Sequence, residues 1–158
     1  MSDLHALLER FRRGPEVVAA ATTGAAGPVL DYRPAPEKWS IRQILWHLAD
    51  SEIAGAMRFR QVIAEDEPTL QAYDQDAWAR NLGYERRKFS PALELFRRLR
   101  LENHALLSSL PPEAFSRTGR HTETGVVTLL DLLRLYTEHA ESHARRILEL
   151  RRAYKAAR

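Results

Sequence analysis

Apolar residues recur at helical spacing in four segments of this chain, and no stretch alternates apolar and polar residues for long enough to predict a strand. The first segment runs from about Ser2 to Thr22, with Leu4, Leu7, Leu8 and Phe11 on one stripe. Gly14-Pro15 interrupts it. The proline lacks a backbone donor, which predicts a kink or two short helices. A Gly/Pro-rich linker, Gly24 to Pro36, follows. The second segment has the clearest start. Ser40 is an N-cap with Gln43 three residues on, a capping box, and Trp39 before the cap pairs with Ile44 as a hydrophobic staple. Ile41, Ile44, Leu45, Leu48, Phe59 and Val62 carry one face to about Ala64, roughly 25 residues or close to 40 Å of helix.

The stretch from Glu65 to Phe89 is irregular, with a short helix expected at Asp76 to Arg80. A connection this long in a compact domain is often functional. The third helix opens with Ser90 as cap and Pro91 at the first helical position. Leu93, Phe96, Leu99, Asn103, Leu106 and Leu110 share its apolar face, and Pro111-Pro112 ends it. A polar loop, Glu113 to Gly125, leads to the fourth helix, about Thr128 to Ala153. Its inward stripe is Leu129, Leu132, Leu133, Tyr136, Ala140, Ala144, Ile147 and Leu150. Four such stripes buried together make an all-α four-helix bundle, and 158 residues suit one domain spanning 1–158.

Composition narrows the chemistry. A chain of this length buries roughly two-thirds of its unfolded surface without a structural metal, so a metal here would serve chemistry. No cysteine is present, which excludes disulfides, thiolate metal sites and cysteine nucleophiles and leaves nitrogen and oxygen ligands. The first residues carry charges throughout and lack the apolar run of a signal peptide, and no run is long enough for a membrane span. A cytoplasmic location is the expectation. Net charge is +3, from 24 basic and 21 acidic residues that are mostly interleaved. The basic clusters at Arg86-Arg87-Lys88, Arg97-Arg98 with Arg100, and Arg145-Arg146 with Arg151-Arg152 predict solvated helix faces. Their spread over several helices, together with the acidic residues between Glu52 and Asp76, argues against a nucleic-acid partner.

The histidines carry the candidate chemistry. His139 and His143 are four apart, one turn on the same helix face. Both fall within the apolar stripe, so both are expected to face the core. Two unpaired buried imidazoles are costly. A metal ion satisfies them, and so would hydrogen bonds to carboxylates or to a bundle partner such as Asn103. A catalytic site with an open position needs a third ligand. His5, His47, His104 and His121 are the candidates. His47 sits on the flank of its stripe beside Ile44, where periodicity permits it without selecting it.

The segment Trp39-Ser40-Ile41-Arg42-Gln43-Ile44-Leu45-Trp46-His47-Leu48-Ala49-Asp50-Ser51-Glu52 resembles the DinB/YfiT-like superfamily pattern of a Trp-Ser helix start followed by His-Leu and acidic residues. His139-x3-His143-x3-Ile147 is similar to that family's closing helix, and His121-Thr122-Glu123-Thr124-Gly125 to its lead-in. The resemblance covers about Asp31 to Arg152. It implies a four-helix bundle of up-down-down-up type and a homodimer. It also implies one divalent metal ion (Zn, Ni, Fe or Mn) on His47, His139 and His143. The activities it implies are hydrolysis, or S-transfer and isomerisation with a low-molecular-weight thiol as cosubstrate. Such a metal could activate water or a small thiol toward a small-molecule substrate.

Around that centre, Glu52 and Asp50 follow His47 within about a turn and a half. Glu52 is the candidate general acid or base, set against a solvated surface or a bond to a ligand histidine. Tyr73 and Trp78 are candidate pocket walls and His121 a candidate loop contact to substrate, set against packing outside the bundle or exposure. A metal-dependent enzyme ranks first. A non-catalytic metal- or ligand-binding stress-response module, which predicts a closed metal shell, ranks second.

Overall fold

The computed structural model describes residues 2–158. Its helices begin where side chains can take up the free N–H groups of a first turn. Ser40 opens α2 (Ile41–Ala64): its hydroxyl accepts from the Gln43 N–H, and the Gln43 side chain accepts from the Ser40 N–H. Thr128 and Asp131 make the same reciprocal pair at the start of α5 (Leu129–Ala156). Asp74 caps the short α3 (Gln75–Asn81). α4 (Ser90–Ser108) departs from expectation. Phe89 is its cap residue, Ser90 is already helical, and no side chain caps it. Pro91 in the first turn has no N–H to satisfy, which lessens the need for a cap.

α1 (Asp3–Thr22) also departs from expectation, because it runs unbroken through Pro15. A proline inside a helix leaves the carbonyl four residues earlier without its donor. Here that carbonyl is Phe11 O, and Arg100 Nη1 of α4 donates to it at 2.8 Å. Gly14 makes room for the guanidinium, since a Cβ there would lie 2.4 Å from Arg100 Nη1. A long-range side chain supplies what the local sequence withholds.

Residue pairings give the helix directions. Arg10 meets Glu141 and Arg151 meets the Ala21 carbonyl, so α1 and α5 run parallel. Trp46 meets Lys88 and Arg60 meets Asn103, so α2 and α4 run parallel. His47 meets His139 while Arg58 meets Tyr136, so α2 and α5 are antiparallel. With α1 up, α2 and α4 run down and α5 runs up, the order expected. α1 and α2 each pack on both α4 and α5.

The core has two apolar clusters. One gathers Val18, Ile44, Leu45, Leu48, Phe96, Ala144 and Ile147. The other gathers Phe11, Phe59, Val62, Leu107, Leu129, Leu133 and Tyr136. Between them along the helices lies a buried polar layer of Glu52, Arg100 and Asn103. On α4 this puts Ala92, Phe96, Arg100, Asn103 and Leu107 inward. Leu93, Leu99, Leu106 and Leu110 of the expected face are only half-buried. Arg100, expected on a solvated face, is fully buried.

Three short strands were not anticipated: β1 (Thr69–Leu70), β2 (Thr118–His121) and β3 (Gly125–Thr128). β2 and β3 form an antiparallel hairpin with His121 opposite Gly125, and β1 adds to β2 in parallel. Strands of two to four residues leave no alternation to detect. Gly125, at φ +82°, closes the turn. Arg117 ties the hairpin to the end of α2 by donating to the Val62 and Glu65 carbonyls at 2.8 and 2.9 Å. The hairpin in turn holds residues 70–72: Thr122 N–H donates to Leu70 O, and Ala72 N–H donates to Thr122 Oγ1, both at 3.0 Å. No helix among the described residues is long and apolar enough to cross a membrane.

Candidate metal centre

The antiparallel seam of α2 and α5 brings three imidazoles together. His47 Nε2 lies 3.0 Å from His139 Nε2, which lies 3.1 Å from His143 Nε2. All three ligand atoms fall within 4.8 Å of one another. The rings meet near edge-on, with centroids 4.5 to 5.0 Å apart. His139 and His143 share a face because they are one turn apart on α5. His47 is fixed by the well-capped start of α2, and the Trp39 ring ahead of the cap lies against it at 4.6 Å.

Burial keeps these imidazoles neutral. It drives His47 down to about 2, with His139 and His143 adding to the effect. Burial, followed by the charges on His143 and Arg100, takes His139 to about 3, and burial takes His143 to about 4. A neutral imidazole carries one N–H and one free lone pair. Three lone pairs facing one another suit a cation. The edges of a tetrahedron drawn with metal–nitrogen bonds of ~2.05 Å are about 3.3 Å, close to the spacing seen. The three residues therefore fit one divalent ion with a fourth position left open.

A cavity of about 230 Å³ adjoins His139, lined also by Ser51, Arg58, Tyr73, His121 and Tyr136. A larger groove, about 600 Å³, lies between α1 and α5 at Val17 and Leu148. It touches none of the three histidines, so the smaller cavity is the one that bears on their chemistry.

Of the residues singled out from sequence, Tyr73 and His121 line this cavity. Trp78 does not. It stacks behind Tyr73 at 4.3 Å between centroids and packs against the core. Glu52 is placed differently from its expected role as acid or base. It is 1% exposed, with both oxygens bound by Arg100 at 2.9 Å and one also by Asn103 at 3.0 Å. Five residues after His47, its side chain projects into the bundle rather than toward the histidines. Asp50 accepts from the Tyr84 hydroxyl at 2.5 Å, and burial beside that carboxylate raises the Tyr84 pKa. Asn103, weighed as a partner for the core histidines, bonds Glu52 and Arg60 instead. His5 is exposed and His104 bonds Ser108.

Ser51, Arg58 and Tyr136 enter the cavity without having been singled out for it. The signal was present in register: Ser51 is four and Arg58 eleven residues after His47, and Tyr136 is three before His139. Each spacing stays near one helix face. Two glycines complete the arrangement. A Cβ at Gly55 would lie 2.9 Å from the Tyr136 ring, so Gly55 lets that ring cross α2. Gly119 likewise admits Leu70 and Val62, where a Cβ would lie 3.1 Å away.

Such an assembly, a four-helix bundle with three converging histidines from two antiparallel helices, defines a class of bundle proteins with a histidine metal centre at a helix seam. The chain belongs to the DinB superfamily, whose sequence model matches residues 10–147. It is similar to YfiT of Bacillus subtilis, named as a candidate metal-dependent hydrolase, with 34% identity over 115 residues covering 72% of this chain and 65% of that protein. A protein of Oceanobacillus iheyensis with the same description is 30% identical over 112 residues, covering 71% of this chain and 64% of its own length. The matched stretch is thus slightly under two-thirds of these relatives. The solved structure of Bacillus subtilis YfiT is described as that of a candidate metal-dependent hydrolase with an unusual four-helix bundle topology. It superposes with a TM-score of 0.91 at 28% identity, covering 98% of this chain and 90% of that one.

Proposed function

We propose that this protein is a divalent-metal-dependent enzyme acting on a small molecule. His47, His139 and His143 hold one ion, Zn, Ni, Fe or Mn, for hydrolysis or for transfer of a low-molecular-weight thiol. The observation that carries the reading is the convergence of three neutral imidazole nitrogens at the edge of a cavity. A bound divalent ion would supply Lewis acidity, making a water or a thiol a nucleophile near neutral pH. The absence of cysteine means that any thiol comes from a small molecule. The cavity against His139 favours an open position over the closed shell of a purely binding module.

The remaining lining residues supply positioning and proton handling. His121 Nδ1 accepts from the Glu123 and Thr124 N–H groups at 3.1 and 3.3 Å, which leaves the proton of a neutral ring on Nε2. A neutral His121 would therefore present an Nε2–H donor to a substrate at the cavity wall. Burial raises the Tyr73 hydroxyl and pushes Tyr136 up to about 12, so both remain protonated donors near neutral pH. A cytoplasmic homodimer belongs to this reading, and sedimentation equilibrium of the metal-loaded chain tests its oligomeric part.

The deciding experiment is metal analysis by mass spectrometry on protein purified without a histidine tag, wild type beside His143→Ala. Near-stoichiometric metal in the wild type and its loss in the variant are expected. A wild type that holds none of the four metals after incubation with each would overturn the proposal. Screens of thiol transfer and of hydrolysis on the loaded protein then separate the two reactions.

A further inference from the structure

Arg58 is nine-tenths buried on α2 and, among the described residues, has no Asp or Glu within 4.0 Å. Its fixed partners are all neutral. Nη1 donates to the Tyr136 hydroxyl and Nη2 to the Gln71 carbonyl, both at 2.9 Å, and the guanidinium stands over the Tyr73 ring at 5.6 Å. A guanidinium has five N–H groups, so most of its donors are still available. Removing a charge from water without a counter-charge is costly, and other buried charges in proteins are usually paired.

The side chain is also held in place. Tyr136, which fixes one arm of the fork, reaches it only because Gly55 has no side chain in the way. The cavity that Arg58 lines is the one that opens on His139. Its single acidic lining residue, Glu123, sits exposed on the hairpin turn. Its volume of about 230 Å³ falls below the ~300–1,000 Å³ usual for drug-sized ligands, which suits a small acid.

We propose that the cavity takes a small anionic substrate whose carboxylate or phosphate group is received by Arg58, with its reacting end at the three histidines. This rests on the metal-enzyme reading for its chemistry, although the anion site exists in the chain without the ion. Arg58 is a substrate-binding residue: its planar fork matches the two oxygens of a carboxylate or phosphate.

The test is an NMR titration of the full metal-free chain that follows the Arg58 Nε–H resonance and the His139 ring. The probes are glutarate, inorganic phosphate and the neutral glutaramide. A saturable shift with one or both anions and none with glutaramide is expected. Arg58→Gln should weaken anion binding by at least about tenfold, with partial retention in Arg58→Lys. Which anion binds distinguishes a carboxylate from a phosphate substrate. The inference is overturned if neither anion moves the Arg58 signal, or if Arg58→Gln binds them as well as the wild type. Should Arg58→Gln fail to fold, the contrast between glutarate and glutaramide on the wild type still decides. Metal analysis of the same preparations separates the two proposals. Metal uptake with silent anions removes only the anion site, whereas anion binding without metal uptake removes only the metal-enzyme reading.

Discussion

Two arginines are buried in this bundle, and their surroundings are opposite. Arg100 lies in the polar layer between the two apolar clusters, and its hydrogen bonds go to Glu52, Phe11 O and Tyr136 O. Its charge is cancelled, and the rings of Phe11 and Phe96 stand close to it. Arg58 lies on the other side of α2, with neutral partners and an open cavity ahead of it. A buried charge with a fixed counter-charge holds the architecture together, whereas one without it is suited to a charge that comes and goes. α2 carries Arg58, His47 and also Glu52, the counter-charge of Arg100 on α4, so one element divides its inward surfaces between structure and chemistry.

The largest disturbance is to make Arg100 resemble Arg58. Glu52→Ala strands a fully buried cation and should cost about 3–5 kcal/mol, read by urea denaturation of the metal-free chain. A loss below about 1 kcal/mol would mean that Arg100 escapes to water and that the layer is not closed.

Acid tests the other side of α2. The folded values of about 2, 3 and 4 for His47, His139 and His143 lie well below the ordinary ~6.5. Below pH ~6.5 the unfolded metal-free chain takes up protons that the folded chain refuses. Its stability should therefore be level above that pH and fall steadily as pH drops toward 4, which thermal melts across the range will show. A metal-free melting temperature that holds from pH 7 to 4.5 would indicate that the imidazoles protonate without unfolding.

Gly55→Ala sharpens the comparison by displacing Tyr136 without touching either arginine. Overpacking should cost about 1–3 kcal/mol and shift the Arg58 Nε–H resonance, leaving the Arg100 resonance in place. If both resonances stay fixed, Tyr136 does not set the position of Arg58. The smallest effect belongs to Ser40→Ala. Removing the cap ahead of His47 should cost about 1 kcal/mol by the same denaturation and leave both arginine resonances unchanged.

Much of this protein was legible from local pattern. The capping box at Ser40 and the apolar stripes placed α2 and α5 within a few residues of their observed limits. His139 and His143 showed themselves by lying one turn apart inside a stripe. His47 was different: periodicity left it among four candidates, and only its resemblance to a known helix start distinguished it. The buried pairing of Glu52 is invisible to local pattern because its partner, Arg100, is 48 residues away in a run of arginines that predicts a solvated face. Pro15 looked like a break because the donor that replaces its N–H comes from another helix.

What the sequence alone determined was where most helices begin, which stripes are apolar and that any metal ligands would be nitrogen or oxygen rather than thiolate. These depend on hydrogen bonds and contacts within about four residues, which spacing records directly. Only the tertiary structure decided which arginine is neutralised and which faces the cavity, and that His139 Nε2 lies 3.0 and 3.1 Å from the Nε2 atoms of His47 and His143. Those outcomes depend on which helices are neighbours and in which direction they run. Each residue's electrostatic surroundings are set by side chains from distant parts of the chain, and no local pattern encodes them.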